Sequence, residues 1–147
     1  MRSFWIGAFL AGFGLSASAA TVFVEAEAFA DKGGWVIDQQ FMDQMGSPFL
    51  LAHGLGTPVA PASTTIQVPE AGDYRIWVRT RNWVEPWCKT EAPGRFQLCV
   101  NGTALPEKLG TSGAAWHWQA AGHVKLAAGS ATLALQDLTG FDGRCDA

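Results

Sequence analysis

The fold is decided by one stretch, Ala71-Gly72-Asp73-Tyr74-Arg75-Ile76-Trp77-Val78-Arg79-Thr80-Arg81-Asn82-Trp83. After a Gly-Asp turn its residues alternate between two registers, and successive side chains of a β-strand point to opposite faces. One register suits a hydrophobic core, whereas the other places three arginines around a tryptophan and is too cationic to be buried unpaired. The stretch therefore predicts the central strand of a β-sandwich with one side in the core. The inward register is Tyr74, Ile76, Val78 and Thr80, and the outward register is Arg75, Trp77, Arg79 and Arg81.

Short alternating runs separated by turn residues continue along the rest of the chain. They include residues 21–29, and they give about nine short strands with no amphipathic helix longer than two turns. Asn101-Gly102 is the dipeptide that favours a type I′ hairpin. Residues 84–94 form a loop with two prolines, and loops of this length are usually functional or mobile. The pattern predicts an all-β fold, a β-sandwich or jelly roll.

The first 20 of the 147 residues have the order of a secretory signal peptide. Arg2 supplies a positive charge, an apolar run follows, and small residues end it at Ala19 and Ala20. The run is about a dozen residues, short of the ~20 that span a membrane, so we expect no membrane anchor. Removal of residues 1–20 would change the formal net charge from −3 to −4, and no basic cluster points to nucleic acid. We expect a secreted or periplasmic protein whose single domain covers residues 21–147.

Two motifs resemble a known group of domains. Residues 24–29 read Val-Glu-Ala-Glu-Ala-Phe, and residues 70–79 read Glu-Ala-Gly-Asp-Tyr-Arg-Ile-Trp-Val-Arg. Both resemble motifs of carbohydrate-binding modules of families 6 and 35, which have the galactose-binding-like fold. The resemblance implies a β-jelly roll.

The resemblance also implies a structural calcium ion. Such modules usually hold one near the ends of their first and last strands, and the matching positions here are Glu25, Glu27 and Asp146. On a strand, Glu25 and Glu27 would share one face about 7 Å apart, and carboxylate oxygens are what calcium takes. Without a cation, the same glutamates would simply be solvated.

The C-terminal residues lead to two further expectations, each based on a resemblance to known domains. The resembled modules continue with a strand after the position of Asp146, so we expect the domain to be truncated before its last strand. Residues 138–147 are similar to the end of an N-terminal accessory domain on secreted FAD-dependent oxidoreductases. That likeness implies a C-terminal catalytic domain as partner, although the 147 residues contain no nucleotide-binding Gly-x-Gly-x-x-Gly pattern.

Sugar binding has a physical basis in the tryptophans. Pyranose rings present flat C–H faces that stack on indoles, and their hydroxyls need polar partners. We expect a polysaccharide or other glycan as ligand, although Trp77, Trp116 and Trp118 could instead be half-buried strand residues. The candidate sugar-binding residues are Trp83, Trp87, Trp116, Trp118, Arg81, Asn82 and Asp137.

Three functions stay open at this point. The first is a non-catalytic carbohydrate-binding module, and the second is a docking domain that binds no glycan. The third is a glycoside-active enzyme, since Glu25 and Glu27 meet the ~5–10 Å carboxylate separation of glycosidases. No Gly-x-Ser-x-Gly elbow is present. The pairing of the three cysteines, Cys88, Cys99 and Cys145, also stays open.

Overall fold

Strands dominate the secondary structure. The computed structural model describes residues 20–88 and 92–140, so the predicted signal sequence (except Ala20), Cys145 and Asp146 lie outside the described residues. None of the described helices is long and apolar enough to cross a membrane. The elements in chain order are a 3₁₀ turn Ala26–Ala28, β1 Trp35–Asp38, α1 Met42–Met45, β2 Phe49–Ala52, β3 Ala62–Val68, β4 Gly72–Thr80, β5 Phe96–Val100, β6 Thr103–Ala104, β7 His117–Leu126 and β8 Gly129–Asp137.

The strands form three antiparallel groups, and the predicted all-β sandwich is confirmed. The largest is a four-stranded sheet in the order β3-β8-β5-β6, and β4 pairs with β7 in a second sheet. β1 and β2 form a third pair. The inward side chains of the two larger sheets pack in one core with Phe29, Trp35 and Leu50. Asn101 and Gly102, with φ of 50° and 78°, make the predicted tight turn between β5 and β6.

β4 has the two faces that its sequence predicts. Ile76 and Val78 pack against the core, whereas Arg75 and Trp77 are exposed. The ladder with β7 runs from Gly72↔Leu126 to Thr80↔His117 and shifts register between Ile76 and Trp77. The shift leaves Ala121 without a partner on β4, which is the geometry of a β-bulge.

The bulge explains why the sequence indicated two strands where there is one. The sequence pattern favours two short strands, residues 116–119 and 122–126, but His117–Leu126 form the single strand β7. Gly122 beside the bulge has φ of 101°, a value that favours glycine. β4 is also less central than expected, because among the described strands it pairs with β7 alone. A strand needs hydrogen-bonded neighbours on both edges to be central, and alternation along one strand does not reveal them.

Residues 21–29 do not form the strand that their alternation predicts. Glu25 is instead the N-cap of the 3₁₀ turn, and the N–H of Ala28 donates to the carbonyl oxygen of Glu25 at 3.1 Å. No described strand pairs with these residues, and a strand depends on its ladder rather than on its side-chain pattern alone. The expectation that Glu25 and Glu27 share a strand face is therefore wrong.

Asp137, at the end of β8, joins two loops. It is only 5% exposed, and its Oδ2 accepts the N–H of Val59 at 2.9 Å. Its Oδ1 accepts the N–H groups of Thr139 and Gly140, each at 3.0 Å. The sequence placed Asp137 among the candidate residues of a sugar-binding rim. In the structure its carboxylate accepts hydrogen bonds from backbone N–H groups that are buried or partly buried.

We predict that Asp137→Ala destabilises the domain strongly, because it leaves buried N–H groups unpaired at a cost of about 1–3 kcal/mol each. The free energy of unfolding from chemical denaturation measures this. The matched control is Asp31→Ala, which removes the exposed hydrogen bond that Asp31 Oδ1 accepts from the N–H of Gly33. This variant should lower the free energy of unfolding by less than about 1 kcal/mol. Equal losses in the two variants would contradict the role assigned to Asp137.

Candidate functional site

Three loops bring their aromatic rings together beyond the end of β4. Phe41 lies at the centre, with its ring centroid 5.8 Å from Phe49, 6.3 Å from Trp83 and 6.1 Å from Trp116. The rings of Phe49 and Trp116 are closer still, at 4.9 Å in an edge-to-face contact. Such tilted and edge-to-face pairs are favourable beyond the area that they bury. We call Phe41, Phe49, Trp83, Trp87 and Trp116 the aromatic cluster.

Backbone and side-chain hydrogen bonds hold these loops in place. The N–H of Asn82 donates to the carbonyl oxygen of Gly113 at 2.8 Å, which ties the Trp83 loop to the Trp116 loop. The guanidinium of Arg79 donates from Nη1 to the carbonyl of Met45 at 3.1 Å and from Nη2 to that of Gln44 at 3.2 Å. Charged donors at the C-terminal end of α1 are favourable, because the last carbonyls of a helix lack partners within it.

Arg81 lies against the rings of the aromatic cluster. Its guanidinium carbon is 4.6 Å from the ring centroid of Phe41, 5.6 Å from Trp83 and 6.0 Å from Trp116. A cation this close to several aromatic faces is attracted by each ring quadrupole. Arg81 therefore joins rings from all three loops, in addition to any role towards a ligand.

Exposure rises from the inner end of the aromatic cluster to its tip. Phe49 is buried, Trp83 and Trp116 are half-buried, and Trp87 is 73% exposed. Trp87 packs edge-to-face on Trp83 with a centroid distance of 5.4 Å. A turn fixes its backbone, since the N–H of Trp87 donates to the carbonyl of the buried Val84 at 2.9 Å. The indole of Trp87 is therefore supported by Trp83 and has one face open to solvent. We call Trp87 and the turn that holds it the loop tip.

The sequence-predicted sugar residues divide between several places. The structure brings together Arg81, Trp83, Trp87 and Trp116. Asn82 is only 4% exposed, and its Oδ1 accepts the N–H of Val84 at 3.3 Å, so it shapes the turn from within. Trp118 lies on β7, directly opposite Arg79, and points away from the core.

Phe41 and Phe49 were not predicted from the sequence as residues of the site. Phe41 stands in the polar stretch 39–47 and Phe49 begins a buried strand, so neither has the flanking loop residues that drew attention to the tryptophans. A large aromatic residue in an otherwise polar stretch was the available signal. Only the folded loops show which rings it contacts.

The predicted metal ligands are incompletely described. Glu25 is exposed and Glu27 is half-buried, whereas Asp146 lies outside the described residues. Within residues 20–88 and 92–140, no three His, Cys, Asp or Glu side chains are grouped to hold a metal ion. The two carboxylates have the donor chemistry that calcium requires, and a complete site would need further ligands.

The fold is similar to that of known sugar-active proteins. A GH26-CBM35 β-(1,4)-mannanase of Podospora anserina matches with a TM-score of 0.60 and 18% identity, covering 78% of this chain and 24% of that one. A family 35 carbohydrate-binding module from an environmental isolate matches with a TM-score of 0.53 and 19% identity, covering 78% and 82%. A cycloisomaltooligosaccharide glucanotransferase of Paenibacillus sp., complexed with cycloisomaltoheptaose, matches with a TM-score of 0.53 and 23% identity, covering 79% and 16%.

These matches establish the fold. No protein-family model matches the sequence, and no curated protein matches it. The chain spans about a quarter of the length of the mannanase and most of the length of the isolated module. The same matches give no support to an FAD-dependent oxidoreductase as the parent protein.

We predict stability losses of different size for the half-buried and the exposed tryptophans of the aromatic cluster. Trp116→Ala removes an indole packed on Phe41 and Phe49 and should lower the free energy of unfolding by about 2–4 kcal/mol. Trp87→Ala removes a mostly exposed indole and should lower it by less than about 1 kcal/mol. Chemical denaturation of both variants measures the difference. A larger loss in Trp87→Ala than in Trp116→Ala would show that the loop tip is a lid on the core.

Proposed function

We propose that this chain is a non-catalytic glycan-binding module that binds its ligand at the loop tip. The observation that carries the proposal is the 73% exposed indole of Trp87, supported from behind by Trp83. Contiguous exposed apolar surface marks binding sites, and the indole of Trp87 is continuous with that of Trp83. The β-sandwich shared with a carbohydrate-binding module of family 35 supports a glycan as the ligand.

The chemistry of the loop tip suits a sugar ring. A pyranose presents C–H groups on its flat face, and these pack on the electron-rich face of an indole while its hydroxyls stay in water. Trp87 is held by its turn and by Trp83, so little side-chain freedom is lost when a ligand arrives. Arg81 holds the rings behind it, which keeps the indole in one orientation.

The proposal also includes a role for this chain as part of a larger enzyme. Two of the similar structures are enzymes much longer than this chain, a mannanase and a glucanotransferase. We assign this chain the task of positioning such an enzyme on its polysaccharide, outside the cytoplasm in line with the predicted signal sequence. A docking domain without glycan affinity is the outcome that the following experiment separates from this role.

We predict that Trp87→Ala abolishes glycan binding without unfolding the domain. Affinity gels containing mannan, dextran, xylan or galactan should retard the native protein on at least one polysaccharide, and Trp87→Ala should weaken that retardation at least tenfold. We expect an effect of this size because stacking of a nucleic-acid base on one aromatic side chain is worth about 1–3 kcal/mol, a comparable stacking contact is proposed here, and about 1.4 kcal/mol corresponds to tenfold in affinity.

Phe23→Ala is the matched control, because Phe23 is an aromatic residue of similar exposure, at 71%. It should leave retardation unchanged. If Trp87→Ala remains folded and is retarded like the native protein, the loop tip is not the site. If no polysaccharide retards the native protein, the docking role replaces glycan binding.

Structural calcium is the second part of the proposal. It is supported by the carboxylates of Glu25 and Glu27 near the N-terminus and by the motif resemblance that pairs them with Asp146. A bound calcium ion would supply a positive centre to which these carboxylates bind. What this chain provides is carboxylate oxygens, the ligands that such an ion prefers.

We predict that calcium raises the thermal midpoint of the protein relative to the same protein in chelator. An ion that binds only the folded state stabilises it by an amount that grows with ion concentration. Differential scanning fluorimetry over a calcium series measures this, and the double variant Glu25→Gln, Glu27→Gln should lose the dependence. Equal midpoints of the native protein across the series would rule the site out.

A further inference from the structure

A second surface with aromatic and cationic side chains covers the solvent side of the β4–β7 pair. Alternate residues of the two strands point away from the core, and the register places them opposite one another. This surface is distinct from the loop tip, and we call it the outer face. Its residues are Asp73, Arg75, Trp77, Arg79, Trp118, Ala120, His123 and Lys125.

Two indoles lie side by side on the outer face. Trp77 is opposite Ala120 and Trp118 is opposite Arg79, so the two tryptophans are diagonal neighbours on adjacent strands. Diagonal pairs of this kind lie roughly 7–8 Å apart, within reach of large side chains. Trp77 is 48% exposed and Trp118 is 53% exposed, so the described core does not account for either ring.

The charge of the outer face is opposite to that of the whole chain. The chain has a formal net charge of −3, whereas this face carries Arg75, Arg79 and Lys125 against one acid, Asp73. Asp73 lies 3.7 Å from Nδ1 of His123. The Arg79 guanidinium donates to the carbonyl oxygens of Met45 and Gln44, which carry no formal charge, so these bonds hold its positive charge in place without neutralising it. An anionic partner complements such a surface.

We propose that the outer face is a second binding surface, and that its ligand is a polysaccharide carrying carboxylates. The sugar rings pack on Trp77 and Trp118, and Arg75 and Lys125 pair with the carboxylates, for which arginine offers a bidentate fork. The ligand class rests on the proposed glycan-binding function. The proposal that the outer face is a binding surface does not rest on that function, because this face is separate from the loop tip.

Polygalacturonate and its methyl-esterified form are the probes that separate charge from sugar shape. Isothermal titration of the native protein should show binding to polygalacturonate that weakens at least tenfold on esterification, and also on raising the salt from low to about 0.5 M. Trp118→Ala and Arg75→Gln should each weaken polygalacturonate binding at least tenfold. Thermal melting confirms that both variants stay folded, as expected for exposed side chains.

The loop-tip variant makes the two sites distinguishable. Trp87→Ala should keep its affinity for polygalacturonate, and Arg75→Gln should keep its retardation by the neutral polysaccharide that binds the loop tip. The outer-face proposal is overturned if the native protein does not bind polygalacturonate, or if Trp87→Ala alone removes that binding. Tighter binding of a single-stranded oligonucleotide than of polygalacturonate would overturn it too. If the native protein binds polygalacturonate but no neutral polysaccharide, the result counts against the proposed function at the loop tip only.

Discussion

The structure depends on the pairing of β4 with β7, because this ladder fixes which side of each strand meets the core. Ile76 and Val78 point inward, which places Arg75 and Trp77 in solvent. A one-residue slip would exchange the two faces and bury the cations. The bulge at Ala121 changes the register between Ile76 and Trp77 yet leaves Arg75 and Arg79 on the same side of the sheet. Both proposed surfaces follow from this pairing, one beyond the end of β4 and the other on its solvent side.

The loop tip illustrates how a mostly exposed side chain is held in one place. Trp87 rests on Trp83, which contacts Phe41, and Phe41 contacts the buried Phe49. The chain of ring contacts therefore leads from solvent to the interior, with Arg81 against three of the rings. A binding residue supported in this way loses little entropy on binding. The glycan-binding proposal depends on this preorganisation as much as on the exposure of the indole.

The sequence predicted those features that depend on local pattern and missed those that depend on distant partners. The faces of β4 and the Asn101-Gly102 turn follow from alternation and from backbone preference, and both are present. Asp137 was expected at a sugar-binding rim because it is a polar residue near predicted loops in the sequence. It is buried because backbone N–H groups from two loops need an acceptor there. Phe41 was missed because its ring partners come from loops that lie far apart in the sequence.

The central claim, that the loop tip binds glycan through Trp87, is tested most directly by NMR of the indole N–H groups. The resonances are assigned with single Trp→Phe variants and followed while an oligosaccharide of the polysaccharide retained in the affinity gel is added. We predict saturable shifts of the Trp87 and Trp83 indole resonances, while the resonance of the buried Trp35 indole stays unchanged. Saturation of the ligand-binding signal with no movement of the Trp87 resonance would contradict it.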